Sequence, residues 1–413
     1  MRYAKLFLCL IVVALGVSFS QSPLFASSSE VEALLKVLVK RGVISEKEAA
    51  SVLQEAKKVV EEQKKEIARE SAAKMPSWVE NTKFKGDIRM RYQTSKKKKD
   101  DVARNRARIR FRYGFETRVS DTLKVGARMA TGSADPRSTN QTLGDTFATK
   151  SWQLDKAYLK YQPTEAFEVL AGKFNKAFFV RDDLLWDGDI TFEGLSLIFK
   201  PEVSESTKLF FNTGLFVLDE LKSSDKDPLM SYFQPGFEAK ISDNISWKMG
   251  LAYYSFENVK GNTLDHSAGT NTLKDGVLKY DYDSINPSTV LTYAWDSLDK
   301  TYAVSLLYDY IYNPDSKDKG YLVGIKFGSK KVKDRGDWQV YYNYRQLEKD
   351  AWLDTFPDSD FYGGKTDVKG YEVVIKYGLA KHISLGLDYY RTRRMDAEAN
   401  PESVLQADLG IKF

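Results

Sequence analysis

Arginines carry the most concentrated chemistry in this sequence. Arg89 and Arg91 alternate with Ile88, Met90 and Tyr92, and Arg106, Arg108, Arg110 and Arg112 alternate with Ala107, Ile109, Phe111 and Tyr113. A spacing of two places each basic row on one face of an extended strand and the apolar row on the other. Arg128 adds a seventh guanidinium from the next segment. These groups must be hydrated or paired, and the nearest concentrated run of acids is Asp182, Asp183, Asp187, Asp189 and Glu193. The chemistry on offer is electrostatic. The chain has two histidines, His266 and His382, which fall in a long polar stretch and a short turn. They build no metal site and pair with no serine as base and nucleophile. There is no P-loop, no dinucleotide-binding glycine pattern and no H-E-x-x-H. The sequence therefore predicts no enzyme, no cofactor and no metal.

The elements that must hold those arginines repeat to the end of the chain. From residue 82 the apolar period is two, in sixteen segments running from 82–93 and 104–119 to 382–392 and 403–413. The gaps alternate between short turns such as 242–244, 296–300 and 380–382 and long polar loops such as 132–150, 258–283 and 349–367. Strands of about 10 residues, tilted near 40°, match the ~25 Å apolar band of a membrane barrel. Aromatics crowd the strand ends, among them Trp247, Tyr253, Tyr293, Trp295, Tyr308, Tyr310, Tyr312, Trp338, Tyr344 and Tyr389. Such rings favour the headgroup level. In a barrel the arginines face the lumen, since each would cost about 2–4 kcal/mol against lipid near the midplane. The expected fold is all-β and transmembrane: a closed antiparallel outer-membrane β-barrel of about sixteen strands over 81–413.

Residues before the barrel read differently. Arg2 and Lys5 precede the apolar run 6–19, and Pro23 and Ala26 follow, as in a signal peptide cleaved after Ala26. A helical membrane anchor would need about 20 apolar residues. The single cysteine, Cys9, lies inside this segment, so the mature chain forms no disulfide. Loss of two bases lowers the net charge from +5 to +3, too little for a nucleic-acid partner. Over 27–80 the period is helical. Val31, Leu34, Leu35 and Leu38 share one face, Ser45 and Glu48 form a capping box, and Ala49, Val52, Leu53, Ala56, Val60 and Ile67 make a narrow stripe among charges. This predicts a periplasmic helical spacer or a short coiled coil, the latter able to support a homotrimer.

Over 154–179 and 182–199 the sequence, LDKAYLKYQPTEAFEVLAGKFNKAFF and DDLLWDGDITFEGLSLIF, resembles the bacterial "putative porin" family, as does the helical LLKVLVKRGVISEKEA at 34–49. Lys156 stands where the family pattern has Arg, and Ala177 where it has Pro. The resemblance implies an outer-membrane barrel of porin type, with no catalytic residues and no defined substrate; the first functional expectation is a passive diffusion channel for small hydrophilic solutes or ions. The resemblance also implies that 175–189 folds into the lumen as a constriction loop, setting the five acids against the basic wall. The final strand, ending in Phe413, resembles the signal read by the barrel-assembly machinery. Outer-membrane lipids and solutes are then the expected partners. A structural anchor, tying the outer membrane to periplasmic components through the N-terminal helices, is the competing reading.

Overall fold

The computed structural model describes residues 77–180, 183–222, 224–297, 299–396 and 400–413, with scattered positions between 36 and 65. The segment read as a signal lies outside the described residues. So do most of the stripe positions, including Val52, Leu53, Ala56, Val60 and Ile67. Residues 46–51 are helical, and the capping box forms as written. Ser45 donates its N–H to Glu48 Oε2 at 2.8 Å, and Glu48 donates its N–H to Ser45 Oγ at 3.3 Å. Ser77–Glu80 adds one helical turn.

Among the described residues, sixteen long strands make the wall. They are β1 (Thr82–Lys97), β2 (Arg104–Arg118), β3 (Leu123–Thr131), β4 (Trp152–Thr164), β5 (Phe167–Asn175), β6 (Thr191–Phe199), β7 (Thr207–Val217) and β8 (Leu229–Lys240). The second half is β9 (Ile245–Glu257), β10 (Ser284–Ser297), β11 (Lys300–Tyr312), β12 (Lys319–Ser329), β13 (Trp338–Leu347), β14 (Val368–Ala380), β15 (Ile383–Arg394) and β16 (Glu402–Lys412). Each strand pairs antiparallel with the next, and β1 pairs with β16 from Asp87↔Lys412 to Lys97↔Glu402. That last pairing closes the barrel. Short strands at Gln141–Leu143 and Glu202–Ser204 pair with β2 and β7.

Closure inverts the burial of a soluble protein. Gln234, Asn286, Ser288, Asp309 and Asn343 are completely enclosed, whereas Phe84, Leu195, Phe233, Leu251, Leu306 and Val323 stand exposed on the outer face. At the short-turn end, Tyr293, Trp295, Tyr302, Phe327 and Trp338 form a continuous series of ring contacts with centroids 5.4–6.4 Å apart. Tyr342, Tyr371 and Tyr389 make tilted ring contacts in series on β13, β14 and β15. Both histidines hold turns: His266 and His382 adopt φ of 59° and 66°. That is the left-handed region non-glycine residues seldom enter.

The seam depends on one glycine. Phe413 exchanges backbone hydrogen bonds with Gly86 at 2.8 and 3.0 Å, and its ring stacks near Tyr113 at 6.4 Å. A Cβ at Gly86 would lie 2.5 Å from that ring and 2.9 Å from the Arg112 carbonyl. Gly86→Leu should therefore prise the terminal residue off β1, costing about 1–3 kcal/mol as an overpacked contact. A lower urea midpoint, with less protein migrating as the compact form on unheated gels, is the expected result.

Candidate functional site

Pairing of β1 with β2 sets Asp87 opposite Arg112, Arg89 opposite Arg110, Arg91 opposite Arg108 and Gln93 opposite Arg106. Two of those pairs juxtapose like charges, which is unfavourable without outside compensation. Asp87 receives Arg110 Nη2 and Arg112 Nε, each at 2.8 Å. From β16, Asp408 takes a two-pronged contact from Arg91 at 2.7 and 2.8 Å and lies 3.6 Å from Arg89. Forked geometry of this kind is the strong form of the arginine–carboxylate pair. Asp360 reaches Arg91 at 3.0 Å from the long loop between β13 and β14. Arg128, on β3, pairs through Nε with Asp155, which sits where the β3–β4 register shifts.

The loop between β5 and β6, residues 176–190, runs into the barrel interior. Trp186 is buried there against Phe192 at 4.9 Å, Phe356 at 4.7 Å and Trp352 at 5.2 Å. The second and third of these partners come from the loop 348–367. Hydrogen bonds fuse the two loops: Asp187 N–H donates to Phe356 O at 2.7 Å, Trp352 Nε1 to Leu185 O at 3.0 Å, and Ser359 N–H to Asp187 Oδ2 at 2.8 Å. Asp354 then accepts from Ser267 Oγ at 2.7 Å and Asn271 N–H at 3.0 Å, tying in the loop 258–283. Buried aromatic rings of 150–250 Å² contribute about 4–6 kcal/mol each at ~25 cal/mol/Å². The three loops thus form one apolar plug inside a polar barrel.

The acids of the 176–190 loop emerge from this plug on two sides. Asp189 lies 3.5 Å from Arg112 and 3.9 Å from Arg110, and it accepts from Thr139 N–H at 3.0 Å and Oγ1 at 2.9 Å. Burial raises the Asp189 carboxyl, but Arg110 and its hydrogen bonds bring it below the usual range. Burial and the Asp189 charge push Asp187 the other way, well above that range. Asp183 turns to the far wall, where the enclosed Arg345 of β13 holds it at 2.8 Å, Glu372 at 2.7 Å and Asp358 at 3.1 Å. Phe361 covers the guanidinium at 4.2 Å. A cavity of about 390 Å³ lies between these groups, lined by Arg89, Arg110, Arg112, Asp189, Glu372 and Lys376 among others.

The structure thus brings Arg89, Arg91, Arg106, Arg108, Arg110 and Arg112 onto one inner wall, with Arg128 on the adjoining strand. Asp189 alone of the expected acids meets that wall. Asp187 turns into the plug, Asp183 serves Arg345, and Asp182 lies outside the described residues. Glu193 is a correction. It shares the outer face of β6 with Leu195 and pairs with Lys173, because inward-facing Phe192 and Gly194 flank it. Lys156 is buried on the inner side, opposite Arg128. Asp87 opposes the arginines from within its own strand, as its position in the alternation places it; sequence reasoning missed Asp360 and Asp408 as partners, and read the loop 348–367 only as a polar loop. That loop carried a signal in its aromatics, Trp352, Phe356, Phe361 and Tyr362, which a freely solvated loop has no use for.

A family model described as "Putative porin" matches residues 98–292 and 278–413. The chain belongs to that family. It is a porin-like, non-enzymatic outer-membrane channel. No curated protein matches the chain. Among solved structures, the high-pH form of Pseudomonas putida OprB is 12% identical with a TM-score of 0.55, covering 81% of this chain and 95% of that one, which supports the barrel fold. The outer membrane channel DcaP of Acinetobacter baumannii is 13% identical with a TM-score of 0.47, covering 80% and 97%. A triple mutant of the Rhodopseudomonas blastica porin is 12% identical with a TM-score of 0.44, covering 80% and 100%.

Trp186 is the keystone of the plug. Trp186→Ala removes a ring enclosed by both loops and should cost about 3–5 kcal/mol at that site. Faster proteolysis within 176–190 and a larger single-channel conductance are the expected outcomes. Unchanged cleavage and conductance would show that the ring does not hold the loops inside.

Proposed function

We propose that the barrel is a passive diffusion channel for small hydrophilic solutes, in which the loop 176–190 narrows the path against the basic wall. The observation that carries this reading is the position of Asp189, held from the loop beside Arg110 and Arg112. On this reading Arg89, Arg91, Arg106, Arg108, Arg110, Arg112 and Arg128 line the pore. Asp189 beside the ladder, and Asp183 with Glu372 around Arg345, carry the opposing charge. A field across the constriction orients dipolar solutes and disfavours apolar ones. The bases are only partly neutralised, so a modest anion preference remains.

The same reading assigns 1–26 to a cleaved signal and places 27–80 in the periplasm, since the N-terminus precedes a strand that begins on the side of the short turns. Pairing of Phe413 with Gly86 suits a last strand handed over by the assembly machinery. Helical residues 46–51 and their capping box are compatible with a coil supporting a homotrimer, or with an anchor to periplasmic structures. Deleting 27–80 separates the two roles: a conducting barrel should remain if conduction is the main task.

Charge placement supplies the direct test. Converting Arg108, Arg110 and Arg112 together to Gln should lower the anion-to-cation permeability ratio in planar bilayers. The effect should be largest in dilute salt, because the Debye length falls from ~10 Å at 0.1 M to ~3 Å at 1 M. Reversal potentials identical to those of the parent protein would remove these side chains from the conducting path.

A further inference from the structure

Compensation along the basic wall is uneven. Among the described residues, the four carboxylates that touch Arg89, Arg91, Arg106, Arg108, Arg110 or Arg112 are Asp87, Asp189, Asp360 and Asp408. Asp87 and Asp189 are taken up by Arg110 and Arg112, and Asp360 and Asp408 mainly by Arg91. Arg106 and Arg108 have no ion pair among the described residues, and Arg89 has only the 3.6 Å approach to a carboxylate already gripped by Arg91. The Nε of Arg89, Arg106 and Arg108 is in each case shut off from solvent without an acceptor. Arg89 and Arg108 converge on one short segment instead. Arg89 Nη2 donates to Asn140 Oδ1 at 2.7 Å and Arg108 Nη2 to Ser138 Oγ at 3.3 Å, while Asn140 Nδ2 donates to the same Ser138 Oγ. Arg108 Nη1 also donates to Gln93 Oε1 at 3.2 Å. Arg106 stands two residues along the same face, about 7 Å further toward the long loops.

We propose that Arg89, Arg106 and Arg108, with Ser138 and Asn140, form an oxyanion site on the long-loop side of the constriction, taking a phosphate or carboxylate group borne by a small solute. This rests on the channel reading and names the solute class that the channel favours. A guanidinium is a planar fork matched to such groups and stays charged at any relevant pH. Its bonds to an anion are roughly twice as strong as those to neutral oxygens. An oxyanion therefore displaces the weak hydroxyl and amide contacts now made by Arg89 and Arg108. The neighbouring Arg91, Arg110 and Arg112 are less suited, because each is already held by a carboxylate. The inward position of the site excludes lipid headgroups. Because the β1–β2 loop belongs to the long-loop end, which faces the exterior in such barrels, an incoming solute meets Arg106 and Arg108 before it meets Asp189 and its arginines.

Inorganic phosphate is the probe. Titrated into the detergent-solubilised full-length protein, it should bind saturably by calorimetry, and the R106Q/R108Q double variant should bind about tenfold more weakly. The R106K/R108K variant keeps the charges without the forks and should fall between them. In bilayers carrying a chloride current, phosphate added on the long-loop side should block saturably, with block expressed as a fraction of each variant's own current. Absence of saturable binding to the parent protein, or equal affinity in the double variant, would overturn the site while a chloride current still upheld the channel. Saturable binding without any chloride current would uphold the site and overturn the channel. The unheated-gel mobility of each variant confirms that it is folded before either result is read.

Discussion

A bilayer core has no water to satisfy an unpaired backbone amide, and everything in this barrel follows from meeting that demand with strands. Each N–H and C=O must find a neighbouring strand, so the first and last strands must find each other. The β1–β16 pairing and the Gly86–Phe413 contact are that requirement met at the closing seam. Once the sheet is closed, the strand period of two has only one tolerable phase. Arginines cannot face lipid, so Arg89, Arg91 and the row from Arg106 to Arg112 face inward, and Phe84, Ile88, Met90 and Tyr113 face outward.

A closed barrel with Arg89, Arg91, Arg128 and the row from Arg106 to Arg112 facing inward then has an electrostatic problem of its own. β1 and β2 place like charges opposite one another, and the compensating acids arrive by three separate routes. Asp87 comes from within the ladder and Asp408 from the strand across the seam. Asp189 and Asp360 come from loops that enter the lumen. The loops are held there by a different force, the burial of Trp186, Trp352, Phe356 and their neighbours. Apolar packing supplies the position, and the carboxylates ride on it.

The strand framework was legible because the alternation that marks it is also what the membrane demands. All sixteen segments fall where the period of two placed them, differing by a few residues at their ends. The first strand runs on to Lys97 rather than Gln93. Partners across the lumen were not legible. Arg91 and Asp408 are 317 residues apart, and Arg91 and Asp360 are 269 apart. No local pattern relates them; only closure brings them together. Glu193 shows a subtler failure. It was grouped with the loop acids by proximity in sequence, but Thr191 already begins β6, and strand alternation turns the side chain outward. Asp155 shows another. The register shift between β3 and β4 brings an acid to Arg128 at a point where simple alternation would not locate it.

The distribution of apolar groups decides where a solute can travel. Polar residues line the inner face of most outer-membrane barrels, yet here Phe174, Phe178, Phe192, Phe216, Tyr232 and Tyr254 point inward from the β5–β9 side. These residues receive the aromatic loops. They fill that side of the lumen with packed side chains, which exclude water and offer nothing to a hydrophilic solute. The β1–β2 side and the facing Arg345–Glu372 group, where Phe361 covers one face of the guanidinium, stay polar. A cavity of about 390 Å³ accordingly lies between the arginine ladder and the carboxylates. On the channel reading proposed above, selectivity by charge follows from where the aromatic plug packs.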